Sequence, residues 1–404
     1  MAQAMTGATW RLAVLMMLGV TPLALHAQGR TIPAEAFPRP TGPYAVGTLD
    51  TVWVDSSRAE TLTKTPNDKR HVPVRIWYPA AATGQAPARY VQRPEEFGSP
   101  SPFAEVLHVT THAVSGAPIA AGNTRYPVLL YNPGGGWNRF TATFQVEQLA
   151  SLGYIVVSAD HLGFNQSNAL ANGYHFKGDT LGFPEPSNTD VRGDALASWD
   201  YLERVLFPIW VADAQFVLDR IGALQRDAAS PLRGRLDLGR IGAFGWSFGG
   251  ATSVDLLVRD ARIKAAIDQD GQLFGLGRVK GSARPVMLMH STDDPRKTVP
   301  ESQHGILAEL LATVEGWDEK FRSTSTHDVY DLRIAGTAHG HFSDLTLFFP
   351  QDSTALAPRR AHEIITAYTV AFFDQYLKGE TSTLLKSEGA GFPEATLVRK
   401  STKR

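Results

Sequence analysis

Short apolar runs alternate with amphipathic stretches along the middle of the chain. A short apolar run bounded by turn residues is typical of a strand buried on both faces. These runs lie at residues 127–131, 154–159, 240–244, 263–267, 285–289 and 329–334. Amphipathic stretches near 141–152, 210–224 and 360–378 predict helices. Strands that alternate with helices predict an α/β protein with a mostly parallel central sheet and helices on both faces.

The segments around this core have different compositions. Residues 51–54 and 71–78 alternate apolar and polar positions and predict an early antiparallel pair of strands. We interpret 80–125, which is rich in Ala, Gly, Pro and Ser, as a long surface excursion, and the polar segment 162–207 as a second excursion. The α/β domain is therefore expected to span residues 49–380, between a Pro-rich arm at 28–48 and a C-terminal tail at 381–404.

The first 27 residues have the pattern of a secretory signal. Arg11 precedes the apolar run from Leu12 to Val20, and Ala27 ends a stretch of small residues before a polar Gln28. The run is shorter than the roughly 20 apolar residues that a bilayer-spanning helix needs. We expect the protein to be exported, to the periplasm or outside the cell, and predict no transmembrane segment.

Composition excludes several kinds of site. The 404 residues include no cysteine, so a thiol nucleophile, disulfides and cysteine metal ligands are excluded. The formal net charge of −1 gives no general attraction to nucleic acid, and no nucleic-acid partner is expected. Function must therefore be sought in local motifs.

The strongest local motif is the run Gly245-Trp246-Ser247-Phe248-Gly249-Gly250, which directly follows the predicted strand at 240–244 and precedes a predicted helix. A nucleophile elbow is a tight strand-to-helix turn that holds a serine in strained backbone geometry, so its neighbours are glycines. With 36 glycines in the chain, the spacing alone is weak. Its place between a strand and a helix makes Ser247 the candidate nucleophile.

A serine hydroxyl needs a histidine base, and the base follows the nucleophile and the acid along the chain in this type of site. His339 lies just after the last predicted strand, at the edge where the fold collects catalytic groups, with His341 as its nearest competitor. The His-x-His pair has no evident third ligand, so we expect no metal. His290 is interpreted as a polar residue at a strand end, and the other downstream histidines as surface positions: His304, His327 and His362.

Two aspartates are candidates for the acid that orients the histidine. Asp270 follows the predicted strand at 263–267, and Asp294 follows the one at 285–289. Both lie at carboxyl ends of strands. Spacing alone leaves both open.

Two turns are candidates for the backbone N–H groups that stabilise an oxyanion. One donor is expected at Phe248, directly after the nucleophile. The other is expected in the run Asn132-Pro133-Gly134-Gly135-Gly136-Trp137, which follows the first apolar strand. Aromatic residues beside these turns are candidates for the acyl site, namely Trp137, Phe248, Phe274 and Phe342.

Three ordered blocks carry a resemblance to a known family. They are residues 245–252, residues 270–276, and residues 339–346, which fit the pattern His-x-x-Phe-x-Asp-x-Thr. The chain resembles the platelet-activating-factor acetylhydrolases of the plasma and isoform II type and the bacterial esterases similar to them. It has a more distant likeness to dienelactone hydrolases. The resemblance spans roughly residues 50–380 and implies an α/β-hydrolase fold.

The resemblance also implies roles for individual residues. It favours Asp270 over Asp294 as the acid, since that family takes its acid from the strand after the elbow helix. It implies Gly135 and Phe248 as the oxyanion donors. The family often has Ser-His-Gly where this chain has Asn132-Pro133-Gly134, which changes the local shape of the loop but not its backbone donors.

The expected function is hydrolysis of short acyl esters through a Ser-His-Asp triad, without a cofactor. The resemblance implies small-molecule or lipid ester substrates, including the sn-2 acetyl group of phospholipids. A broader carboxylesterase or polyester hydrolase of the cutinase type is the alternative within the same class. A non-catalytic α/β-hydrolase that serves as a binding protein is the alternative from another class.

Overall fold

The computed structural model describes residues 32–98, 101, 103–165, 167–176, 191–298, 301–349, 355–386 and 391–400. The predicted secretory signal at 1–27 lies outside the described residues, so export stays a prediction. Within the described ranges, ten strands form one sheet in the order β10-β9-β8-β7-β6-β4-β5-β2-β1-β3. The strands are β1 Ala45–Ala59, β2 Lys69–Ala80, β3 Val114–Ser115, β4 Tyr126–Asn132, β5 Ile155–Ala159, β6 Leu236–Trp246, β7 Ile263–Gln269, β8 Val286–His290, β9 Val329–Ile334 and β10 Ala395–Lys400.

Eight α-helical segments are described along the chain. They are α1 Thr143–Ser151, α2 Val191–Tyr201, α3 Phe207–Leu224, α4 Phe248–Arg259, α5 Gly275–Val279, α6 His304–Thr324, α7 Leu345–Phe348 and α8 Pro358–Phe373. The strands from β5 through β4, β6, β7 and β8 to β9 are parallel, while β2 and β10 join the two sides of this block in antiparallel pairs. The prediction of an α/β fold with a mostly parallel sheet is confirmed.

The two faces of the sheet each bury a separate apolar core. Successive side chains of a strand point to opposite faces. Along β4, Leu129 and Tyr131 belong to the core that includes residues of α1 and α8, whereas Val128 and Leu130 belong to the core that includes residues of α3 and α4. All four side chains are fully buried. Burial on both faces explains why the parallel strands appear in the sequence as continuous apolar runs.

The segment at 80–125, expected as a surface excursion, contributes several buried aromatic residues. Tyr90, Phe97 and Phe103 are buried, and all three rings pack against Phe140 at centroid distances of 4.9, 6.0 and 5.2 Å. Small residues and prolines separate these aromatic residues, so the sequence of the segment has no regular spacing of apolar positions. It forms part of the core on the α1 and α8 face of the sheet.

Buried ion pairs fix this segment to the loop that follows β4. Arg139 Nη2 lies 2.8 Å from a carboxylate oxygen of Glu96, and Nη1 of the same guanidinium pairs with Asp160. The three side chains are at most 2% exposed. Removing one partner of a buried ion pair leaves an uncompensated charge, so this network holds the loop firmly in place. The same loop carries Gly135.

Part of the segment expected as a C-terminal tail forms a strand of the sheet. Its β10 pairs antiparallel with β9 over six residues, from Ala395 opposite Ile334 to Lys400 opposite Val329. The strand is short and only Ala395 and Leu397 are buried, so its apolar pattern is too weak to identify from the sequence. The sheet therefore extends to residue 400.

Candidate active site

Ser247 occupies a strained turn between β6 and α4. Its backbone angles are φ 58° and ψ −125°. Residues other than glycine rarely adopt a positive φ. The neighbouring residues must be glycines because a Cβ atom at either position would clash with the backbone. A Cβ on Gly249 would lie 2.0 Å from the carbonyl oxygen of Asn132, and one on Gly245 would lie 2.4 Å from the backbone of Gly249. Such strain persists only where the surrounding structure enforces it, and it concentrates at functional sites.

The elbow is tied to the elements on either side. The Ser247 N–H donates to the carbonyl oxygen of Gln269 at 2.9 Å, which links the elbow to the end of β7. The indole N–H of Trp246 donates to the carbonyl oxygen of His339 at 3.0 Å, and the two rings lie 5.1 Å apart. The residue directly before the candidate nucleophile therefore fixes the backbone of the candidate base.

Asp270 and His339 form a direct pair. His339 Nδ1 lies 2.7 Å from Asp270 Oδ2, and both side chains are largely buried. Asp270 also has a positive φ of 59°, so both the candidate nucleophile and the candidate acid are held in strained backbone conformations. Within the described part of the chain, His339 Nε2 is buried and makes no hydrogen bond. The free ring nitrogen is thus the one that a base would use.

The carboxyl of Asp270 is set up to remain ionised. Burial alone would raise its pKa, but the hydrogen bond and charge of His339 and the backbone N–H of Ser291 outweigh burial, and the pKa is lowered. An ionised carboxylate fixes which imidazole nitrogen carries the proton and stabilises a positive charge on the ring.

Asp294 is not brought to a histidine. Its two carboxylate oxygens pair with the Nε and Nη2 atoms of Arg296, each at 2.8 Å, near the surface. The hydrogen bond from Arg296 lowers the pKa of Asp294 to about 2. Of the two aspartates that spacing left open, Asp270 is the one paired with His339.

The competing histidines have structural partners. His341 is buried, with Nε2 3.0 Å from the carbonyl oxygen of Leu356, and burial lowers its pKa. The prediction of a surface position for His362 is wrong. Its ring is buried and stacked on Phe144 at 3.8 Å, because it lies on the face of α8 that packs against α1.

The two predicted oxyanion donors come from neighbouring segments. Phe248 is the first residue of α4, and the first N–H groups of a helix have no acceptor within the helix. The loop with Gly135 begins at Asn132, whose carbonyl oxygen contacts the elbow, and a Cβ on Gly134 would lie 2.7 Å from the Trp246 ring. The glycines thus let this loop run close beside the elbow.

The four aromatic candidates for the acyl site differ in burial. Trp137 is half-buried, with its ring 6.2 Å from that of Trp246. Phe248 and Phe274 are buried and pack edge to face at 5.3 Å. Phe342 is fully buried in the core on the opposite face of the sheet. Burial favours packing roles for Phe274 and Phe342 and leaves Trp137 as the aromatic candidate with exposed surface.

Two supporting residues were missed at the sequence level. Ser291 donates to Asp270 from both its backbone N–H and its hydroxyl. Asp344 accepts from the N–H groups of Thr143 and Phe144 at 2.8 and 3.0 Å and so caps the start of α1. The His-x-x-Phe-x-Asp-x-Thr block contains Asp344, so the sequence marks the residue. The sequence does not show that Asp344 caps a helix about 200 residues earlier in the chain.

The residues placed here do not form a metal site. In the described ranges, no group of three or more His, Asp or Glu side chains could hold a metal ion. Among the described helices, none combines the length and the apolar character that crossing a bilayer requires.

Sequence and structure comparisons give consistent relatives. Residues 222–382 match the family model described as platelet-activating factor acetylhydrolase, isoform II. A probable 1-alkyl-2-acetylglycerophosphocholine esterase of Arthroderma benhamiae is 24% identical over 294 residues, covering 68% of this chain and 67% of the relative. The platelet-activating factor acetylhydrolase of Cavia porcellus is 25% identical over 340 residues, covering 76% of this chain and 69% of the relative.

A solved structure extends this likeness to the whole fold. A ferulic acid esterase from Streptomyces cinnamoneus superposes with a TM-score of 0.69 and 28% identity, covering 91% of this chain and all of the other. The family match at residues 222–382 includes both the elbow at 245–250 and His339. The chain is an esterase with an α/β-hydrolase fold, and its residues 222–382 are similar to the platelet-activating factor acetylhydrolase, isoform II, family.

Proposed function

We propose that the protein hydrolyses short acyl esters in two steps with Ser247 as nucleophile, His339 as base and Asp270 as the acid that orients it. The observation that carries this proposal is the 2.7 Å pair of Asp270 and His339, whose ring lies 5.1 Å from that of Trp246 in the turn that holds Ser247 at positive φ. His339 Nε2 removes the hydroxyl proton as Ser247 Oγ attacks the acyl carbonyl, and then returns that proton to the leaving alcohol. Water releases the acyl group from the serine by the same steps.

The N–H groups of Phe248 and Gly135 bind the oxyanion in this scheme. Removing one donor from such a site typically costs about 10²–10³ in kcat, so the pair supplies a large part of the catalysis. The Phe248 donor is supported by its place at the start of α4. The choice of Gly135 rests on the family resemblance, and the close approach of the preceding Gly134 to Trp246 supports a donor from this loop. The scheme uses no metal or organic cofactor.

Short-chain acyl esters are the proposed substrates, including phospholipids with an acetyl group at the sn-2 position. This choice rests on the family match and on the two relatives, whose names refer to acetylated glycerophosphocholine and to platelet-activating factor. The alternative is a broader carboxylesterase that accepts larger acyl groups or polyesters. The 28% identity to a ferulic acid esterase over nearly the whole chain favours this alternative and extends it to aromatic acyl groups.

An acyl-group panel separates the two substrate classes. With p-nitrophenyl esters and methyl ferulate, we expect kcat/KM for the acetyl ester to exceed that for the octanoyl ester by about tenfold or more, because a site that fits an acetyl group discriminates against added methylenes. A flat or long-chain profile contradicts the acetyl preference, and faster turnover of methyl ferulate supports the aromatic alternative. Ser247→Ala, assayed in parallel, corrects for spontaneous hydrolysis.

A further inference from the structure

The loop after β8 holds both oxygens of the Asp270 carboxylate. The backbone N–H of Ser291 donates to Asp270 Oδ1 at 2.6 Å, and the Ser291 hydroxyl donates to Oδ2 at 2.9 Å. The same Oδ2 atom pairs with His339 Nδ1. One residue therefore fixes the rotation of the carboxylate and directs Oδ2 toward the imidazole.

The same loop is also joined to the segment that carries His339. The backbone N–H groups of Thr292 and Asp293 both donate to the carbonyl oxygen of Thr337, at 3.0 and 3.1 Å. Thr337 lies two residues before His339. The loop after β8 thus bridges the acid and the base, although its own Asp294 pairs with Arg296.

The Ser291 hydroxyl has two carboxylates within reach. Its Oγ lies 2.9 Å from Asp270 Oδ2 and also 2.9 Å from Asp293 Oδ1. A hydroxyl has a single proton to donate, so the two carboxylates compete for it. When the proton goes to Asp270, it spreads the negative charge that faces His339. When it goes to Asp293, Ser291 still donates its backbone N–H to Asp270, whose Oδ2 then faces only His339.

We propose that Ser291 is a positioning residue of the active site, which orients Asp270 and tunes its charge toward His339, and that Asp293 opposes it by competing for the hydroxyl proton. This inference rests on the proposed triad and deepens it. Among the described residues, the other ionisable groups close to the pair are His290 on β8, Asp268 on β7 and the buried His341.

The two residues act on the base in opposite directions. Without the Ser291 hydroxyl, the Asp270 carboxylate loses a donor and interacts more strongly with a positive charge on the ring it faces. The acid limb of the activity profile, where kcat/KM rises with pH, is then expected at higher pH. Without the charge of Asp293, that interaction weakens and the acid limb is expected at lower pH.

The test is the pH profile of kcat/KM for a p-nitrophenyl ester. For Ser291→Ala, we expect kcat to fall about tenfold with little change in KM, and the acid limb to move up by about half a pH unit. For Asp293→Asn, the acid limb moves down by a similar amount. Ser291→Thr keeps the hydroxyl and restores the wild-type limb.

A matched control and a second readout keep the outcomes distinct. Ser282→Ala removes a buried hydroxyl just before the opposite end of β8 and leaves the acid limb in place. If Ser291→Ala lowers only the melting temperature, or if both variants shift the limb in the same direction, the inference is wrong. Failure of the triad itself shows separately, because a fluorophosphonate probe would then still label Ser247→Ala.

Discussion

Replacing Asp270 by Asn is expected to lower kcat about 10⁴-fold while the protein stays folded. The substitution preserves the shape of the side chain but removes the charge that faces His339. An amide can also donate to Nδ1, which places the ring proton on Nε2 and leaves the imidazole unable to accept the serine proton. Steady-state kinetics with a p-nitrophenyl ester, beside a thermal melt, measures both quantities.

Asp294→Asn is the matched control for this prediction. Asp294 lies at the end of the neighbouring strand and pairs with Arg296 near the surface, so its replacement is expected to leave kcat within about twofold of wild type. If only the Asp294 change abolishes turnover, the assignment of the acid fails.

Replacing His339 by Ala is expected to lower kcat by about 10⁴-fold or more, because the variant lacks the proposed base for the Ser247 proton. The adjacent His341 provides a comparison of the same residue type, two positions along the chain. Its ring is buried, and its Nε2 atom is hydrogen-bonded to the carbonyl oxygen of Leu356. His341→Ala is therefore expected to lower the melting temperature by several degrees, with kcat of the folded fraction largely retained.

The prediction is that kcat falls strongly for His339→Ala and little for His341→Ala. Both variants are assayed at the same concentration of folded enzyme, determined from the melt. Equal losses of kcat would mean that the 339–342 turn acts as a structural unit and that His339 has no separate role as base.

The central part of the fold follows from the sequence for a physical reason. Strands buried on both faces are mostly apolar, so β4 and β5 stand out as short continuous runs. The edge strand β10 and the segment at 80–125 bury only part of their residues. Their apolar positions are scattered among polar and small residues, so the local pattern did not reveal how they pack.

The candidate site was predictable to a similar extent. Ser247 and His339 stand at sharp strand-end motifs, whereas the pairing of His339 with Asp270 depends on how two separate loops meet. Sequence spacing left Asp294 open for that reason. Ser291 gave no local signal, because its role exists only when the ends of β7 and β8 lie side by side.

The central claim is that Ser247 is the nucleophile, and covalent labelling tests it most directly. Wild-type protein is treated with a fluorophosphonate probe, digested and analysed by mass spectrometry, with Ser247→Ala as the control. We predict one adduct, on the peptide that contains Ser247, and none on the variant. An adduct on another serine, or equal labelling of Ser247→Ala, would contradict the account.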